Sequence, residues 1–323
     1  MKYYAGKYEY ALGAEVTIRI FIKTLSTFVL CLTIGSCQSQ PGTCPEPTGV
    51  TLQVLGSGGP IADDGRASSA YVVWVDGKSR VLIDAGGGSF LRFGEAGAHF
   101  TDLDFVGLSH LHTDHSADFP ALLKSGNFSD RERPLPIAGP EGDGIFPGLN
   151  AFLAAMLDRE SGAYGYLGGF LDGAAGTPKL TPREVATGAP SILWSSEEIS
   201  IEGMRVPHGI VPAVAFRVRA GDTTVVFASD QNGSDPAFVD FAKGASILVM
   251  HMVVSEDVRG VGRRLHAPPS VIGEVAGRAQ PGKLVLSHLM ARSLKDLEGN
   301  VQLVKRGYNG DIVVAEDLAC VTP

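Results

Sequence analysis

At 323 residues, with 44% hydrophobic and 19% charged residues, the chain has the composition of a globular protein with a sizeable core, in one large domain or two small ones. A net charge of −8 argues against a general nucleic-acid binder, which needs a basic stripe. The 41 glycines point to many turns, or to backbone that approaches a ligand closely.

Residues 1–36 read as a leader and signal peptide. Thr24–Ser36 (TLSTFVLCLTIGS) is an uncharged, mostly apolar run of the length of a signal-peptide core, too short to span a bilayer, and Arg19 and Lys23 supply its positive flank. Met1–Glu15 is an odd leader with two acids, so translation starting near Val16 is an alternative. The run ends at IGSC, which resembles a bacterial lipoprotein cleavage site. On that resemblance Cys37 is acylated and anchors the mature protein to a membrane; an ordinary secretory signal cut nearby is the other reading. Either way the protein is expected to be exported from a bacterial cytoplasm, to the periplasm or the outer membrane. Residues 37–49 form a polar linker. Cys31 leaves with the signal, so Cys44 and Cys320 remain, as a disulfide in an oxidising compartment or as two free thiols.

From residue 50 onward, strand-like runs dominate. TLQVL leads into the turn GSGGP, and AYVVWV and SRVLIDAG follow around the turn DGK. LDFVGLSH is a buried strand, and SADFPALLKSG starts as a helix. Residues 126–200 are less regular and read as an insert. Strands resume at ISIEGMRVPHG, PAVAFRVRAG, TTVVFASD and SILVMHMVV. The helix APPSVIGEVAGRA, the strand KLVLSHLM, a helix over about 293–305 and the strand DIVVAED complete the chain. Meander-like strands with helices in each half suggest two sheets with helices outside, folded as one α/β domain over residues 50–323.

The chemistry is concentrated in SHLHTDHSAD, which follows a buried strand. Residues two apart at a strand end project to the same side, so His110 and His112 can grip one ion. Asp114 and His115, where the chain turns away, can serve a second position. Imidazole and carboxylate donors suit two zinc ions, or Mn2+ or Fe2+. His208, Asp230 and His288 each end an apolar strand, so all seven residues can converge on one sheet edge. The expected division is His110, His112 and His208 for one metal, Asp114, His115 and His288 for the other, with Asp230 bridging.

These motifs, in this order, resemble the metallo-β-lactamase superfamily, and within it the ribonuclease Z, arylsulfatase and phosphodiesterase-like branch. LQVLGSGGP, VLIDAG, SHLHTDHSAD, FASD and LVLSHL carry the resemblance across the whole mature chain. It implies a four-layer αββα sandwich with two zinc ions at one sheet edge, and an Asp84 carboxylate that orients a ligand histidine. It further implies that a water held between the metals, its pKa lowered towards 7, attacks an ester. In the ribonuclease Z pattern a Glu follows His after the next strand and pairs with a later His as proton donor. Here His251 stands at that Glu position and His266 matches the later His, so Asp114, His251 and His266 are the candidate catalytic groups. His99 fits no motif and reads as a surface residue.

Between residues 126 and 200 the bases Arg131, Arg133, Arg159, Lys179 and Arg183 face Asp130, Glu132, Glu141, Asp143, Asp158, Glu160, Asp172, Glu184, Glu197 and Glu198. That balance repels a polyanion. The expectation is therefore a hydrolase of a small anionic ester, phosphate or sulfate, with no nucleic acid as partner. A lactone or β-lactam hydrolase is the alternative, disfavoured by Asp230, and a non-catalytic envelope binding module comes third. A homodimer is one option that the sequence leaves open.

Overall fold

The run Ala70–Val75 has no polar face, and all six residues are buried, as a strand covered on both sides requires. The computed structural model describes residues 42–44 and 49–323, whose fold is a single domain. The leader, the apolar run and Cys37 lie outside the described residues. Among the described residues, no helix is long and apolar enough to cross a membrane.

One sheet contains β1 (Val50–Gly56), β2 (Ala70–Val75), β3 (Lys78–Ile83), β4 (Phe105–Gly107), β5 (Leu135–Pro140) and β6 (Leu180–Val185), side by side in chain order. The other contains β7 (Ser191–Ser195), β8 (Ile199–His208), β9 (Val211–Ala220), β10 (Thr223–Phe227), β11 (Ile247–His251), β12 (Lys283–Ser287) and β13 (Asp311–Val314), again in chain order. A two-residue strand, β14 (Cys320–Val321), returns to pair antiparallel with β1.

Three apolar layers hold these elements. Between the sheets, Leu52, Val54, Ile83 and Phe105 meet Ile201, Val214, Phe216 and Val249. Phe105 and Phe216 touch edge to face across the gap, centroids 6.2 Å apart, worth about 0.5–1.5 kcal/mol beyond the area buried. Outside the first sheet, Leu82 and Val106 pack on α1 (Ser89–Glu95), α2 (Phe119–Gly126) and α3 (Leu149–Leu157) through Phe93, Phe119 and Leu153. Outside the second, Val226, Leu248 and Leu286 pack on α4 (Pro236–Ala242), α5 (Pro269–Ala279) and α6 (Leu297–Lys305) through Phe238, Ile272 and Val304. Helix α5 shows why: Pro at its first position pre-sets the turn, and Ile272, Val275, Ala276 and Ala279 recur at the three-and-four spacing that makes one apolar stripe. The four-layer αββα sandwich expected from the sequence is the observed fold.

Residues 126–200 depart from the expectation of an insert. They supply β5 and β6 to one sheet and β7 to the other, with α3 packed on β6, so much of the segment is framework. Trp194, partly buried, packs against the inter-sheet core, and Phe170 is fully buried. Both have packing roles. Tyr164 and Tyr166 remain exposed.

Cys44 and Cys320 are joined as a disulfide, Cα atoms 5.8 Å apart and 276 residues apart in sequence. Of the two sequence readings, the pairing is the one observed. Beside it the buried Gln53 donates to the Gly42 and Leu318 carbonyls and accepts from Trp74, so its side-chain amide is bonded at both nitrogen and oxygen.

Candidate metal centre

Strand direction brings the site together. β3 and β4 are parallel, as are β10, β11 and β12, and β8 runs the same way as β10 because both are antiparallel to β9. The C-terminal ends within each set therefore lie on one edge. The residues at or just past those ends are Asp84, the His110–His115 cluster, His208, Asp230, His251 and His288. The chain turns sharply there: Asp84, Ser229 and His288 have φ of 61°, 60° and 53°, the left-handed region that costs a non-glycine residue strain. Glycines let the turns close up. A Cβ on Gly86 would collide with the Asp114 carbonyl, and one on Gly59 would lie 2.7 Å from His288 Cε1. The runs GSGGP and DAGGGS thus make tight packing beneath the cluster.

Asp230 sits at the centre, 2% exposed. Its Oδ2 lies 3.7 Å from His208 Nε2, 3.9 Å from His115 Nε2 and 4.0 Å from His110 Nε2. His110 Nε2 and His112 Nδ1 are 3.0 Å apart. Asp114 Oδ2 is 3.1 Å from His288 Nε2 and 3.5 Å from His115 Nε2. His110, His112 and His208 form one group whose ligand atoms lie within 4.8 Å of one another, and Asp114, His115 and His288 form another. Asp230 joins His110 and His115 in a third such group, which places it between the two sets. All seven residues singled out as ligands are brought together.

The outer contacts fix which nitrogen each ring presents. Asp84 accepts from His115 Nδ1 at 2.7 Å and from the Ser109 amide and hydroxyl, leaving His115 Nε2 to face the centre. His208 Nδ1 donates to the Leu265 carbonyl at 2.9 Å, leaving Nε2 likewise. Buried His115 Nε2 and His208 Nε2 have no hydrogen-bond partner. Orphaned imidazole nitrogens aimed at a shared carboxylate fit divalent metal ions, which would satisfy them. Zinc suits this donor set well, as neutral imidazole plus carboxylate.

The electrostatics agree. Burial opposes charge on His115, yet Asp84, Asp230 and Asp114 outweigh it and raise the imidazole to about 9. His288 is raised against the same opposition by Asp230 and by its bond to Asp114. His110 is driven well below its ordinary value by burial, with His115 adding to the effect. Burial works to raise Asp114, but the His288 bond and the His115 charge bring it down to about 2. At pH 7 the metal-free protein therefore holds a proton on His115 that a ligating imidazole cannot keep. Metal loading at pH 7 is expected to release about one proton or more. Calorimetric heats measured in buffers of different ionisation enthalpy would show this, and release that is absent, or proton uptake, would refute the assignment.

The expected partnership of His251 and His266 does not form. His251 is 5% exposed, with Nδ1 2.6 Å from Asp230 Oδ1 and Nε2 3.0 Å from Tyr71 Oη. Both ring nitrogens are taken, so no nitrogen is free to reach a leaving group. His266 is half-buried, and its Nδ1 lies 3.7 Å from Asp230 Oδ2 without a hydrogen-bond partner. Arg66, near the first glycine turn, donates to Ser57 Oγ and the Ala315 carbonyl and serves as a brace. His99 is exposed, as expected. Tyr71 went unnoticed in the sequence, because an aromatic in an apolar strand carries no sign of what its hydroxyl meets.

Comparison with known proteins adds the lineage. Residues 79–289 match the family described as the Beta-lactamase superfamily domain. A ribonuclease Z from Mycolicibacterium gilvum is 30% identical over 286 residues, covering 83% of this chain and 94% of the relative. Among solved structures, the metallo-beta-lactamase fold protein YhfI from Bacillus subtilis superposes with a TM-score of 0.63 at 22% identity, over 84% of this chain and 98% of that one. The short form of human tRNase Z gives 0.65 at 18% identity, with the same two coverages.

These relatives correct one expectation. Exclusion of nucleic acid, and with it the choice of a small anionic ester as partner, is overturned by relatives whose name is ribonuclease Z. The physical fault lay in counting charge over residues 126–200 as if they were a clamp. Much of that segment is sheet and helix framework, and several of its acids bond their own turns, as Asp143 and Asp158 do. Charge spread along such a segment is screened within about 8 Å at physiological salt, and does not set the potential at the metal centre. By its family match, its ribonuclease Z relatives and its fold, the chain is a metal-dependent ester hydrolase that belongs to the metallo-β-lactamase superfamily, in the ribonuclease Z and phosphodiesterase branch.

Proposed function

We propose that this protein hydrolyses phosphodiester bonds of RNA, using two divalent metal ions, zinc foremost. The observation that supports this best is the pair of donor sets flanking Asp230, in a chain 30% identical to a ribonuclease Z. Bound divalent ions supply an activated water near neutral pH and offset negative charge on the phosphate oxygens. The chain's own groups do the rest. Asp84 and the Leu265 carbonyl hold His115 and His208 in their ligating orientation. Attack at phosphorus breaks the ester P–O bond, and the departing oxygen takes a proton from the His266 imidazolium, which returns to neutral imidazole. Burial lowers His266 to about 4 in the free protein, so it is neutral until an anionic phosphate beside it favours the protonated form.

Two substrates separate these roles: an RNA with a 3′ extension, and bis(p-nitrophenyl) phosphate, whose aryl leaving group needs little protonation. Zinc-loaded protein is expected to turn over both, and chelation or His112→Ala is expected to abolish both. His266→Ala is expected to cost about 10²–10⁴-fold on RNA, the usual scale of a general acid, and far less on the aryl diester. Equal losses on the two substrates would remove His266 from the proton transfer. Metal-dependent turnover of a lactone or β-lactam with neither diester cleaved would overturn the reading itself.

We further propose export, supported by the Thr24–Ser36 run and by the Cys44–Cys320 disulfide, which persists in oxidising compartments. Mass spectrometry of the mature N-terminus tests it: an acylated Cys37 or a nearby cleavage supports export, and an intact leader refutes it.

A further inference from the structure

We propose that His251, Tyr71 and Ser287 form a positioning line that holds one oxygen of Asp230 and leaves the other for the metals. The proposal rests on the metal-hydrolase reading above and assigns this chain's departure from the family pattern a purpose other than proton transfer.

The two oxygens of Asp230 have different surroundings. Oδ2 faces the Nε2 atoms of His110, His115 and His208 at 3.7–4.0 Å. Oδ1 is held at 2.6 Å by His251 Nδ1, and His288 Nε2 stands 3.6 Å away. A carboxylate bonded at one oxygen only can still swing about its Cβ–Cγ bond unless the donor is itself immobile. His251 is immobile for two reasons. Its strand β11 is paired on both sides, by β10 and β12, and His251 lies opposite Ser287 in the register. Its far nitrogen is 3.0 Å from Tyr71 Oη, which lies 2.9 Å from Ser287 Oγ.

Tyr71 comes from β2, in the other sheet, and is 1% exposed. The line therefore crosses the sandwich beneath the cluster and ties the strand that follows the first glycine loop to the bridging carboxylate. Asp230 requires a donor at Oδ1, so His251 Nδ1 carries the proton, and Tyr71 and Ser287 hydroxyls can turn to suit Nε2. A Glu side chain at 251 placed against Oδ1 would confront Asp230 with a like charge. In this geometry the residue must donate, which histidine does.

The test reads metal binding rather than turnover. Wild type, Tyr71→Phe, His251→Asn and His251→Leu are stripped of metal, checked for folding by thermal unfolding, and titrated with zinc against a chelator of known affinity. The cobalt(II) absorption spectrum of each loaded protein is recorded in parallel. His251→Leu keeps bulk without a donor, and loss of such an outer hydrogen bond to a ligand typically costs about 10–100-fold in metal affinity. That loss is expected here, together with a changed cobalt spectrum. His251→Asn retains an amide donor near the Nδ1 position and should recover part of the affinity. Tyr71→Phe keeps the ring and should show a smaller loss of the same kind. Folded His251→Leu and Tyr71→Phe proteins with wild-type affinity and spectrum would overturn the positioning line while leaving the metal reading intact. A wild type that binds no metal would overturn both.

Discussion

Asp230→Asn is expected to lower metal-dependent diester hydrolysis by about 10³-fold or more in kcat/KM, equivalent to about 4 kcal/mol of transition-state stabilisation. The reason is position. Asp230 Oδ2 lies within 4.0 Å of imidazole nitrogens from both candidate donor sets, so one side chain can serve two metal positions. Its carboxyl is kept ionised despite burial, because the His288 charge and the hydrogen bond from His251 outweigh the desolvation penalty. An amide keeps the shape and one oxygen but loses the negative charge that separates two dications. Metal content measured by plasma emission, alongside kinetics, checks this: the variant should hold less than two equivalents. Two retained equivalents with activity within about tenfold of wild type would show that the site is not organised around Asp230.

The second large effect concerns the framework. Replacing Cys44 and Cys320 together by serine is expected to cost about 2–5 kcal/mol of stability, because a bridge spanning a long loop removes much freedom from the unfolded chain. For a domain of this size that lowers Tm by roughly 5–15 °C. The bridge joins the segment before β1 to β14, a two-residue edge strand with little pairing of its own. It lies at the sheet edge next to Gln53, away from the ligand set, so turnover at 25 °C should stay close to wild type. Reduction of the wild-type protein should lower Tm by the same amount and leave the double variant unaffected. A double variant as heat-stable as wild type would show that β14 is held by its strand pairing alone.

The strands and the cluster of candidate ligand residues were legible in the sequence because both are local signals. AYVVWV and ILVMH are apolar without alternation, which only a strand covered on both faces tolerates, and both are buried throughout. His110, His112, Asp114 and His115 stand within a span of six positions just after one strand, so their proximity needed no fold to guarantee it. His208, Asp230 and His288 were found because each closes an apolar run, and parallel strand direction then delivers those ends to one edge. What hydrogen-bonds to what across the sandwich was decided only in three dimensions. His251 matched a catalytic position by alignment of motifs, yet Asp230 and Tyr71 occupy both its nitrogens. Tyr71 is 180 residues away from it in the chain, and nothing in either strand encodes that the two sheets place them face to face. Residues 126–200 misled for the same reason: irregular in pattern, they are ordered by pairing with β4, which lies outside the segment, and β8, which lies mostly beyond it. Composition and periodicity record what each element buries. Which partners it buries against depends on sheet order, and that is a property of the assembled fold.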